Sequence, residues 1–87
     1  MEELYKDELR KLLVKHNYIL AEYGTTIAAR PQEPQKYATL ILTKNGAKVA
    51  TNSSLWTTDE VILVAQELQE TMALAAQINV LARELGI

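Results

Sequence analysis

The 87-residue chain has no cysteine, which removes disulfides, thiolate zinc sites and cysteine nucleophiles together. It has one histidine, His16, at the expected end of a helix, and the sequence sets no second titratable group beside it. General acid-base work needs such a partner, so His16 reads as a capping or exposed residue. A histidine metal site is excluded on related grounds: carboxylates would have to complete it, and none are spaced as a loop of oxygen ligands. No cofactor is expected. The glycines Gly24, Gly46 and Gly86 are scattered, which leaves no glycine-rich phosphate loop and no dinucleotide fingerprint. Ser53 and Ser54 lack a Gly-x-Ser-x-Gly setting, and one distant histidine completes no triad, so no enzyme activity is expected. The longest apolar runs, Val61 to Ala65 and Met72 to Ala76, are five residues each, against the roughly 18 that a membrane span requires. Met1-Glu2-Glu3-Leu4 is acidic and amphipathic, which leads us to expect no signal peptide and a cytoplasmic chain. A net charge of −2 is too small for the whole-protein field to draw nucleic acid, and the cations of the first helix interleave with acids.

With 48% hydrophobic and 23% charged residues, the composition is that of one folded domain over residues 1–87. From Glu2 to Lys15 the apolar residues Leu4, Tyr5, Leu9, Leu12 and Leu13 fall on one helical face, and the helix closes at His16-Asn17 because Asn tolerates the left-handed conformation. Tyr18 to Arg30 reads as one strand bent at Gly24, or as two short strands meeting there. Pro31-Gln32-Glu33-Pro34-Gln35 is a loop, since two prolines remove ladder donors. Lys36 to Thr43 and Lys48 to Thr51 form a hairpin about Asn45-Gly46, the pair that a tight type I′ turn prefers. The fold expected is α+β: a helix, a two- to three-stranded antiparallel sheet and a long C-terminal helix, in the order α-β-β-β-α.

Thr57 as N-cap with Glu60 three residues on makes a capping box, and nothing breaks the helix that follows before Gly86. Helix 57–85 would then measure roughly 42 Å, twice the roughly 20 Å of the strands beneath it. One apolar stripe holds Val61, Val64 or Ala65, Leu68, Met72, Ala75, Ile78, Ala82 and Leu85; a second holds Ile62, Leu63, Leu74, Val80 and Leu81. Packing on one sheet needs a single stripe, so the surplus predicts a homo-oligomer built on this helix, with alanines permitting close approach and Asn79 fixing the register. Glu67 and Glu70 read as its solvent stripe.

A binding constellation remains. An antiparallel meander brings the end of the first strand, the start of the second and the exit of the third to one edge of the sheet. Arg30, Lys36, Tyr37, Asn52, Ser53, Ser54 and Trp56 would meet there. Two cations, a phenol, an indole, an amide and hydroxyls suit a flat anionic molecule such as a nucleotide, stacked on an aromatic ring and held by its phosphate. In the competing reading Trp56 is a hydrophobic staple under the long helix and the loops are simply polar. Arg83, far along the helix, would either complete a site on another subunit or favour the helix C-terminus.

The general plan, with Arg30, Lys36, Tyr37, Asn52 to Trp56 and the apolar helix Thr57 to Leu85, resembles that of small phage-encoded anti-defence proteins that sequester cyclic nucleotide signals as homo-oligomers. The resemblance implies non-catalytic ligand capture in the cytoplasm of a host cell. The alternative is an interaction protein that uses its sheet edge or helix surface to block a macromolecular partner, with no small ligand.

Overall fold

The computed structural model describes residues 2–52 and 55–87, and through them the chain runs helix, two hairpins, helix, an α+β arrangement. Helix α1 (Glu2–Lys15) buries Tyr5, Leu9 and Leu13, each one turn beyond the last. It closes at Asn17, whose φ of 64° is the left-handed conformation expected of it. The His16 and Asn17 amides donate back to the Leu13 and Val14 carbonyls at 3.0 and 3.1 Å.

The sheet differs from the expectation of two or three strands. Four strands form two separate antiparallel pairs, β1 (Tyr18–Tyr23) with β2 (Thr26–Pro31) and β3 (Ala38–Thr43) with β4 (Gly46–Thr51). Gly24 produces the additional strand. It takes a φ of 64° at the first position of the two-residue loop Gly24-Thr25, the pattern of a II′ hairpin, so of the two readings of Tyr18 to Pro31 the two short strands meeting at Gly24 hold, and the single bent strand does not. The second hairpin is where Asn-Gly placed it, but its loop is Lys44-Asn45: Thr43 pairs with Gly46, which is already the first residue of β4. Neither loop residue has a positive φ, so the turn is not type I′.

The two pairs lie side by side without a ladder between β2 and β3. The bonds Gln32 N–H to Asn17 O and Asn52 N–H to Tyr37 O, both 2.9 Å, set the alternation within each pair. Followed along the registers, that alternation turns the backbone groups of Ile27 and Ala29 on β2, and of Leu40 and Leu42 on β3, toward the seam between the hairpins.

One 3₁₀ turn (Thr58–Glu60) leads into helix α2 (Val61–Glu84). Glu60 reaches back as expected: its Oε1 accepts the Thr57 N–H at 3.0 Å and the Thr57 hydroxyl at 2.9 Å. At the other end Gly86, with φ of 70°, completes a Schellman motif in which Gly86 N–H donates to Arg83 O and Ile87 N–H to Ala82 O. Val64, Thr71, Leu74, Ala75, Ile78 and Ala82 bury one stripe of α2 against the hairpins and α1. This divides the helix differently from the sequence reading. Leu74, assigned there to the surplus stripe, is 1% exposed and belongs to the core within the chain, whereas Val61 and Met72 face outward.

Asn79 has a role inside the chain instead of at a helix pair. Its Oδ1 accepts the Ala47 N–H at 2.8 Å and its Nδ2 donates to the Ala47 carbonyl at 3.1 Å. The amide thus pairs with Ala47 at the outer edge of β4 as a residue of a neighbouring strand would. Gly46 permits the approach, because a Cβ there would overlap Asn79 Oδ1.

Candidate functional site

Glu67 organises the loop that precedes β3. Its carboxylate accepts three consecutive backbone N–H groups, from Lys36 at 3.2 Å, Tyr37 at 2.6 Å and Ala38 at 2.7 Å. Consecutive amides turned to one point form a concavity suited to an anion, and here the chain's own carboxylate fills it. These bonds also explain why β3 starts at Ala38 and not at Lys36. Read as a solvent-stripe residue, Glu67 in fact lies three positions after buried Val64 and four before buried Thr71. Those spacings place it on the inward face and would have revealed it.

Lys36, Tyr37 and Asn52 do come together. Asn52 donates its backbone N–H to Tyr37 O at 2.9 Å and its Nδ2–H to Lys36 O at 3.1 Å, while its Oδ1 accepts the Thr39 hydroxyl at 2.7 Å. The Tyr37 hydroxyl donates to Glu60 Oε2 at 3.1 Å. Desolvation, with the Glu60 carboxylate beside it, raises the Tyr37 phenol above its ordinary pKa. The Glu60 carboxyl is lowered, first by the Thr57 backbone bond, then by the hydroxyls of Thr57 and Tyr37. Among the described residues the Tyr37 hydroxyl, the Asn52 amide and the Glu60 carboxylate are thus engaged within the chain, and the Lys36 side chain is exposed.

Arg30 stands elsewhere. Ala29 packs against the core, so the period of two turns Arg30 to the open face of its hairpin opposite Ile19, away from the side on which α2 presents Glu67. Trp56 is half-buried, with its Nε1 buried and without a hydrogen-bond partner, as is His16 Nε2. Ser53 and Ser54 lie outside the described residues.

A cleft of about 520 Å³ opens beside Lys36, between α2, the end of α1 and the 31–37 loop. Glu33, Glu67 and Glu70 line it against the single ammonium of Lys36, and Tyr18 O–H donates across its wall to Gln35 Oε1 at 2.7 Å. Burial is the first cause of the raised pKa of Tyr18. An acid surplus of this kind opposes a phosphate. Among the described residues no group of three or more histidine or carboxylate side chains is placed to hold a metal ion, and no helix is long and apolar enough to cross a membrane.

The outward side of α2 has the opposite character. Ile62, Ala65, Gln69, Met72, Ala76 and Val80 succeed one another by three or four positions and are all exposed. Val61 and Ala73 flank this stripe. At the C-terminal half it borders a groove of about 420 Å³ between the two helices, floored by Leu12, Val80 and Leu81 and edged by Glu8 and Glu84.

Comparison with protein-family models, curated proteins and solved structures finds no match.

Proposed function

We propose that the chain is a non-catalytic protein-interaction module and that the outward face of α2 is its docking surface. The observation that carries this reading is the exposure of large apolar side chains along one side of a single helix: Ile62 is 68% exposed, Met72 58%, Val61 54% and Val80 43%. Single exposed apolar residues are ordinary on any protein, but an aligned row of them over about five turns marks a contact surface. The row is rigid, because the same helix is anchored along its other side by its buried stripe. Alanines between the large residues let a partner approach closely.

Capture of a small anionic nucleotide has less support. Arg30 stands on the open face of its hairpin, apart from Lys36 and Tyr37, the cleft next to Lys36 is acidic, and the backbone amides suited to a phosphate hold Glu67.

Photo-crosslinking tests the reading. A benzophenone amino acid at Met72 should give covalent polypeptide adducts in the cells that produce the protein, and the same group at Glu33, on the acidic cleft, should not. No polypeptide adduct from position 72, or equal yields from both positions, would overturn it.

A further inference from the structure

The outward stripe of α2 is complementary to itself when a second helix runs in the opposite direction. Asp59 precedes Ile62 by three positions and Arg83 follows Val80 by three, so the two charges stand at opposite ends of the apolar row. Among the described residues neither makes an ion pair. Laid antiparallel about an axis between Gln69 and Ala73, the row brings Asp59 opposite Arg83, Ile62 opposite Val80, Ala65 opposite Ala76 and Gln69 opposite Met72. A parallel arrangement would set Arg83 against Arg83 and Asp59 against Asp59.

The shapes agree with the charges. At its N-terminal half α2 projects Ile62 into solvent, 68% exposed. At its C-terminal half it borders the groove floored by Leu12, Val80 and Leu81, whose volume of about 420 Å³ admits branched aliphatic side chains. In the antiparallel arrangement the projection of each copy meets the groove of the other, and the two-fold axis makes the contact occur twice.

Resting on the reading of α2 as a docking surface, we infer that its occupant is a second copy of this chain, paired as an antiparallel α2–α2 dimer. Ile62 of each copy seats in the groove between α1 and α2 of the other, and Asp59 pairs with Arg83 across both ends. Helix dipoles in opposition favour the same direction.

The absence of native cysteine makes the register directly testable. Ile62→Cys and Val80→Cys lie 18 positions apart on one helix, roughly 27 Å, too far for a bond within one chain. Under mild oxidation the two single variants mixed together should give a disulfide-linked pair, and neither variant alone should. Light scattering of the wild type at about 50 μM should give twice the chain mass. Ile62→Glu should give a single-chain mass with an unchanged far-UV spectrum, since that side chain makes little contact in its own subunit. Arg83→Glu should weaken association about 3–10-fold, and adding Asp59→Arg should restore it. A monomeric wild type overturns the self-pairing, while the docking reading is then decided by adducts at Met72 to another polypeptide. A dimer in which Ile62→Cys links to itself, with no link in the mixture, overturns the antiparallel register.

Discussion

Replacing Gly46 by alanine should damage this fold through a side chain 33 positions away. The new Cβ would overlap Asn79 Oδ1 and force the amide off the backbone of Ala47. Two bonds are then lost together, at 2.8 and 3.1 Å, on a residue only 9% exposed. An unsatisfied buried donor or acceptor costs about 1–3 kcal/mol, and partial access of water at this edge brings the pair to about 3 kcal/mol. For a domain of this size that corresponds to a fall of roughly 12–24 °C in Tm. Asn79→Ala removes the same two bonds and should fall by a similar amount. Because both changes break one interaction, the double variant should fall little further than either single one, with a coupling of about 3 kcal/mol. Thermal melts followed by circular dichroism, with urea midpoints as a second measure, provide the cycle. If Gly46→Ala melts within about 2 °C of the wild type, or if the two effects simply add, the clamp does not hold the β4 edge.

The Glu67 contact predicts that Glu67→Gln, with one acceptor oxygen for three N–H groups, loses about 1–3 kcal/mol and speeds hydrogen exchange at Lys36, Tyr37 and Ala38. Unchanged exchange there would show that the loop is held by other means. Gly24→Ala puts a Cβ into open space at a φ of 64°, so only backbone strain opposes it, and a loss of about 1 kcal/mol is expected in urea titration. Glu60 and Glu22 both have folded carboxyl pKa values below the ordinary range, Glu60 through the bonds from Thr57 and Glu22 through Lys6. Their contribution is thus present above the ordinary carboxylate pKa and is lost as the pH falls through the lowered values. Glu60→Gln should flatten the acid side of the stability profile, and a profile of unchanged steepness would contradict this.

The helical parts of the fold were legible because each has a local cause. Leu9 and Leu13 mark the buried side of α1 by spacing, Asn17 ends it by tolerating a positive φ, and Glu60 announces the start of the long helix. The hairpin near Asn45-Gly46 was visible, but its exact loop was not. Asn-Gly favours a turn through local conformation, whereas here Gly46 serves a tertiary approach by Asn79, and nothing within a window of a few residues reports that. The same limit governed the candidate site. Strand order correctly joined Lys36, Tyr37 and Asn52. It missed that Arg30 falls on the opposite face, because one residue of alternation decides the side and the break of Tyr18 to Pro31 at Gly24 was left open. Asn79 escaped because a polar residue beside an apolar stripe is informative only once its backbone partner is known, whereas the spacing of Glu67 between Val64 and Thr71 was a legible signal that was passed over.

The unladdered seam between β2 and β3 bears on how the chain folds. Both strand ladders among the described residues are closed by loops of two residues, so neither ladder has to wait for a distant segment to diffuse into place. Local strand pairing of this kind favours rapid hairpin formation, in about 1–10 μs for isolated hairpins, although a lone two-stranded pair is marginal in water. The barrier should therefore lie in docking α2, which alone supplies Glu67 to the start of β3 and Asn79 to the edge of β4. In a chevron analysis, truncations of Leu74 and Ile78 should slow folding, while changes at Thr25 or Lys44 should act mainly on the rate of unfolding.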